Sequence, residues 1–248
     1  MSDTSTADEA LEPENKLLES SPPQTHLRDW PDLGYLLHEW GSLYRGGSAG
    51  GSKAIRSHMA RVRKTLSSVI ETNPPVAHRA PSQLPVAAHF PRALDLGTQN
   101  SQSTLYGMCR ALKRTSHLLT WEYGYTRVPR ALTQKYGYCE ILGPQGPVKT
   151  DRIVLGFVLF APNTVYPQHS HADIEESYIS LAGAWSENEL AVYAPGSLIL
   201  NRPGEEHRIT TGRSDPCLLA YAWIGPQDRL TEPGMKFSRA HRRAEKGI

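Results

Sequence analysis

Residues 166–183 read Tyr-Pro-Gln-His-Ser-His-Ala-Asp-Ile-Glu-Glu-Ser-Tyr-Ile-Ser-Leu-Ala-Gly, a segment that crowds two histidines, two glutamates and two tyrosines together. In an extended strand, residues two apart point to the same face, so His169 and His171 present both imidazoles to one point. A carboxylate a few residues on, across a tight turn on the neighbouring strand, adds an oxygen donor, and Glu176 and Glu175 are both within range. Further along, Arg202-Pro-Gly-Glu-Glu is a turn that aims the start of a strand, His207, at the same interior. The remaining histidines (His26, His38, His58, His78, His89, His117 and His241) lack such companions and are expected on the surface or in hydrogen-bonded core positions.

The surroundings of this segment are β-rich. From about Val148 the chain runs in short apolar stretches broken by Pro, Gly and Asn: Ile153 to Ala161, Glu176 to Ala182, Leu190 to Tyr193, Ser197 to Leu200, His207 to Thr211 and Cys217 to Ile224. Short strands with tight turns and no intervening helix predict an antiparallel sandwich or barrel over 148–230. Upstream the period changes to 3.6. Leu33, Leu36, Leu37, Trp40 and Tyr44 predict one amphipathic helix, with Asp32 near its start. Ile55, Met59, Val62, Leu66, Val69 and Ile70 predict a second of about five turns, stopped by Asn73-Pro-Pro. Leu105, Met108, Cys109 and Leu112 predict a third, ending near His117. Residues 74–98 read as Pro-rich and irregular, and 46–52 as a Gly-rich connector. The resulting division is an acidic, disordered tail (1–25), a mostly helical region packing on the barrel (26–147), the barrel (148–230) and a basic tail (231–248).

The 248 residues carry 27 basic and 25 acidic side chains, a net charge of +2 that argues against nucleic acid or an anionic membrane as the partner. Cys109, Cys139 and Cys217 show no paired spacing, which suggests neither a zinc ribbon nor a disulfide framework and fits a reducing, cytoplasmic compartment. The acidic N-terminus lacks the basic and apolar regions of a secretory signal, and no apolar run is long enough to predict a transmembrane helix.

His169-Ser-His171, four residues, Glu176, six residues, Gly183 resembles the first cupin motif, and Pro203-Gly204-Glu-Glu-His207 resembles the second, with Pro195-Gly196 before it. The resemblance implies an α+β chain, mainly β with a helical N-terminal half, in which several α-helices precede a cupin jelly-roll β-barrel. It also implies one divalent transition metal ion (Zn, Fe, Mn, Ni or Co) bound by residues among His169, His171, Glu176 and His207. Tyr166-Pro ahead of the histidine pair, Glu176-x-Tyr178 after it and Leu181-x-Gly183 beyond resemble the cupin dimethylsulfoniopropionate lyases, and length and layout are most similar to the DddL type. Those lyases commonly space the second histidine and the glutamate by three residues rather than four. Glu175 restores that spacing but breaks Glu-x-Tyr, so Glu176 is the expected acidic ligand and Glu175 the alternative.

The activity implied is β-elimination of dimethylsulfoniopropionate, a zwitterionic sulfonium, to dimethyl sulfide and acrylate. The metal would bind the substrate carboxylate. Tyr166 is the expected base, and Tyr178 is a metal ligand or the alternative base. The sulfonium end calls for aromatic faces. Tyr221 and Trp223, two apart on the last strand, are the candidates, with Trp121, Tyr123 and Tyr125 as further aromatic surface. Two other readings stay open: an Fe(II) dioxygenase on the same ligands, for which Tyr166→Phe would leave turnover largely intact, and a non-catalytic cupin ligand-sensing module. A homodimer is also left open.

Overall fold

The computed structural model describes residues 24–46, 51–99, 103–125, 127–234 and 238. Most of the expected tail (1–25) therefore lies outside the described residues, as do residues 47–50 of the Gly-rich connector and nearly all of the basic tail beyond 234.

The chain enters through a two-residue strand, β1 (Thr25–His26), and then α1 (Pro31–Gly46), whose Leu33, Leu36, Leu37, Trp40, Leu43 and Tyr44 form one buried stripe. α2 (Lys53–Glu71) starts where the Ser52 hydroxyl accepts the Ile55 N–H. It stops at Thr72, because Asn73 turns into the left-handed region (φ 49°) ahead of two prolines. β2 (Pro75–Val76) pairs antiparallel with β1. The stretch expected to be irregular holds a 3-10 turn (Pro85–His89) and a further helix, α3 (Phe90–Gly97). With only eight residues and Pro91 in its first turn, α3 gives too short a periodic signal to stand out among prolines. α4 (Thr104–Arg114) is capped by Ser103.

Among the described residues nine strands follow: β3 (Tyr136–Leu142), β4 (Val154–Phe160), β5 (Val165–His169), β6 (Glu175–Ala182), β7 (Trp185–Glu187), β8 (Ala191–Tyr193), β9 (Leu198–Asn201), β10 (His207–Thr211) and β11 (Cys217–Ile224). A short α5 (Gln227–Thr231) comes after them. They form a five-stranded sheet in the order β3-β4-β11-β6-β9 and a four-stranded sheet in the order β5-β10-β7-β8, all antiparallel. This is the cupin barrel. Its larger sheet begins at Tyr136, ahead of the expected start at 148, because β3 pairs along β4.

The larger sheet is buried on both faces. Along β11, Leu218, Ala220 and Ala222 belong to the core shared with the helices, while Cys217, Leu219, Tyr221 and Trp223 face the barrel interior. The helices thus cover the outer face, where Trp40 of α1 packs on Phe157 of β4 with ring centroids 4.6 Å apart. Double burial explains why these strands read as continuous apolar runs rather than as alternating ones. Among the described residues no helix is long and apolar enough to cross a membrane, and the three cysteines are free and buried.

Candidate metal centre and its cavity

His169 ends β5 and pairs directly with His207 at the start of β10, so the two imidazoles meet with ring centroids 4.1 Å apart. His171 lies just past the strand, in a loop pinned to the Pro-Gly turn because Gly204 N–H donates to the His171 carbonyl at 2.9 Å. Gly204 has φ 79°, a conformation that glycine adopts without strain. Glu176 comes from β6 in the opposite sheet. One donor atom from each of His169, His171, Glu176 and His207 lies within 4.8 Å of the others, and all four side chains are buried. This group could hold a metal ion.

The polar atoms of the cluster fit that reading. His169 Nδ1 donates to the Pro167 carbonyl at 3.0 Å and His207 Nδ1 to the Glu205 carbonyl at 3.1 Å, which turns Nε2 of each inward. Trp223 Nε1 donates to Glu176 Oε1 at 2.7 Å and turns Oε2 toward the centre. Oε2 sits 3.3 Å from His171 Nε2 and 3.1 Å from His207 Nε2. His169 Nε2, both His171 nitrogens, Glu176 Oε2 and His207 Nε2 are buried with no hydrogen-bond partner. Buried polar atoms that converge on one point with their hydrogen bonding incomplete are costly unless a cation meets them. Three imidazoles and one carboxylate match a divalent transition metal. Burial, aided by His207, lowers the His169 pKa to about 3, so this imidazole is neutral and able to ligate. Burial opposes the Glu176 charge, but His171 and His207 outweigh it and hold the carboxyl well below its ordinary range.

Glu175 is not in the cluster. Strand alternation sends it to the outer face, where its Oε1 accepts from His58 Nδ1 at 2.5 Å and pairs with Arg61. On the same face His58 Nε2 meets Ser177 Oγ at 2.7 Å, and Tyr44 Oη also reaches Ser177 Oγ at 2.7 Å. His58 is therefore a hydrogen-bonded core residue that seats α2 on β6.

A cavity of about 640 Å³, its open mouth included, lies beside the cluster. Glu176, Tyr166, Tyr178, Tyr221 and Trp223 line it. Tyr166 packs edge-on against His169 with ring centroids 4.8 Å apart, and its hydroxyl donates to Tyr125 Oη at 2.9 Å. Burial, then the phenols of Tyr136, Tyr125 and Tyr178, keep the Tyr166 pKa well above its ordinary value. Burial and then the Glu176 charge do the same for Tyr178. Of the alternating aromatics at 121–125, Tyr125 meets the Tyr166 hydroxyl, Tyr123 packs beside Tyr136 and bonds the Thr133 carbonyl, and Trp121 packs on Phe90 under the helices.

Among the lining residues that escaped the sequence reading are Tyr136, Tyr138 and Glu140 of β3. The run Tyr-Gly-Tyr-Cys-Glu carries no polar–apolar alternation that would have marked them.

The family model for dimethylsulfoniopropionate lyase matches residues 58–219. A relative from Cereibacter sphaeroides, provisionally named dimethylsulfoniopropionate lyase DddL, is 62% identical over 226 residues, covering 91% of this chain and 96% of the relative. Among solved structures, the lyase DddQ of Ruegeria pomeroyi superposes with a TM-score of 0.61 at 18% identity, covering 84% of this chain and 96% of the other. A second chain, from crystal structures of the lyases RdDddP and RnDddQII, gives a TM-score of 0.60 at 19% identity over 84% and 98% of the respective chains. At such identities the structural likeness speaks for the fold.

Proposed function

The chain belongs to the dimethylsulfoniopropionate lyase family, and we propose that it cleaves dimethylsulfoniopropionate to dimethyl sulfide and acrylate by β-elimination inside the barrel. The observation that carries this reading is the convergence of one buried ligand atom from each of His169, His171, Glu176 and His207 beside a cavity walled by Tyr166 and Tyr178. Those four residues would hold a divalent cation, which supplies Lewis acidity toward the substrate carboxylate and so eases the build-up of charge at the α-carbon.

Tyr166 is the proposed base. Burial opposes ionisation of Tyr166, and the charge of a cation held by the cluster would favour its phenolate. The phenolate takes the α-proton, the released electron pair forms the carbon–carbon double bond, and the β-carbon–sulfur bond breaks to free neutral dimethyl sulfide. Tyr125, hydrogen-bonded to the Tyr166 hydroxyl, gives the acquired proton a way out. Tyr178 is the weaker candidate because the Glu176 charge opposes its ionisation directly, whereas the neighbours that oppose ionisation of Tyr166 are neutral phenols. Tyr178 then serves as a donor beside Glu176. Tyr221 and Trp223 wall the substrate, and Trp223 also positions Glu176.

Headspace gas chromatography of the metal-loaded protein with dimethylsulfoniopropionate tests the reading, with release of dimethyl sulfide expected. Tyr166→Phe should lower kcat by roughly 10²–10⁴. No release with any of Zn, Fe, Mn, Ni or Co refutes the lyase reading, and a Tyr166→Phe variant of undiminished turnover removes Tyr166 as the base.

A further inference from the structure

At the far side of the cavity from the metal cluster, the inner face of the larger sheet carries a second anionic pole. Glu140 of β3 pairs with Gly156 of β4, which pairs with Tyr221 of β11, which pairs with Tyr178 of β6. These four form one row across the sheet. With neighbouring strands about 4.8 Å apart, the ends of the row are about 14 Å apart at the backbone. Gly156 supplies no side chain, and a Cβ there would lie 2.5 Å from Tyr221 Oη, so the phenol occupies that gap on the Glu140 side of its own strand. Tyr221 Oη is buried and has no hydrogen-bond partner.

Glu140 is 8% exposed and lines the same cavity as Glu176. Its Oε1 accepts the N–H groups of Gln145 and Gly146, both at 2.7 Å. That contact anchors the β3–β4 turn and leaves the carboxylate's second oxygen uncommitted. Tyr136, Tyr138 and Tyr221 surround this end of the space with aromatic walls.

We propose that Glu140, with the Tyr138 and Tyr221 rings, is the recognition site for the cationic end of the substrate. The proposal rests on the lyase reading above, which places the substrate carboxylate at the His/Glu cluster. A sulfonium has no N–H or O–H to donate, so only charge and ring faces can recognise it, and a carboxylate held in a partly desolvated, aromatic-walled space supplies both. Burial raises the Glu140 pKa to about 7 against the Gln145 and Gly146 N–H groups and the charges of Lys149 and Arg79, so the carboxylate carries its charge above that pH, and Arg79 is itself paired with Glu122.

The test separates the cation site from the loop anchor and from turnover. Trimethylsulfonium, a cation with no carboxylate, and acrylate, a carboxylate with no cation, are titrated by calorimetry into metal-loaded protein and into E140Q, whose amide oxygen still accepts both loop N–H groups. Trimethylsulfonium should bind E140Q roughly tenfold more weakly, acrylate should change by less than about twofold, and KM for dimethylsulfoniopropionate should rise with kcat nearly unchanged. Equal weakening of both probes, weakening of neither, or no binding of trimethylsulfonium to the unsubstituted protein overturns the proposal. Selective loss of trimethylsulfonium supports a cation site even where no dimethyl sulfide is released, so the two readings fail separately.

Discussion

The Trp223 indole and the carbonyls of Pro167 and Glu205 decide which atom of Glu176, His169 and His207 faces inward. Groups of this kind tune a metal site about as strongly as the ligands' own surroundings do. Trp223→Phe keeps a ring beside His171, now 4.9 Å away between centroids, but removes the N–H that holds Glu176 Oε1. Metal affinity should fall by roughly 10–100-fold, read by competition with a chromogenic chelator; unchanged affinity would mean that Glu176 is oriented by the strand alone. Although His171 lies past the end of β5 rather than on it, the cluster residues themselves were legible in the sequence, through His-x-His, the glutamate after it and the Pro-Gly-Glu-Glu-His turn. Glu140 was not, since its place in the cavity depends on β3 finding β4, a pairing that no short motif encodes.

At the scale of elements, β4, β6, β8, β9, β10 and β11 were read within a residue or two, whereas β5 and β7 were not marked as strand runs. β3 was missed because Gly137 and Glu140 interrupt it, and its two buried faces leave no polar–apolar alternation. The choice between Glu175 and Glu176 was likewise open until α2 was in place, because His58 and Arg61 from that helix claim Glu175 on the outer face. α3 makes a tighter junction than its eight residues suggest. A Cβ on Gly97 would stand 2.4 Å from Cys109 Sγ of α4 and 3.2 Å from the Leu181 carbonyl of β6. Gly97→Ala should therefore force α3 off both neighbours and cost about 1–3 kcal/mol of stability, measured as a lower urea midpoint. A neutral result would show that the helical layer slides over the barrel without resistance.

Across the whole molecule, the barrel interior places opposite demands on pH. His169 folds neutral, with its pKa lowered from 6.5 to about 3 by burial, so the stability it contributes is complete above 6.5 and is lost as pH falls toward 3. Glu140 behaves in the reverse sense. Burial, opposed by the Gln145 and Gly146 N–H groups, raises its pKa from 4.5 to about 7, so its contribution is complete below 4.5 and is lost as pH rises through 7. Above 7 the cavity therefore holds neutral ligating imidazole at one end and carboxylate charge at the other, at a cost in stability that falls on Glu140. E140Q removes only the second slope, because the metal cluster is the same in both proteins. Relative to E140Q, the unsubstituted protein should lose up to roughly 3 kcal/mol of unfolding free energy between pH 4.5 and 8, read from urea curves at matched ionic strength. A gap that stays constant across that range would mean that Glu140 is not a buried acid of raised pKa, and that the charge at this end of the cavity is carried without strain on the fold.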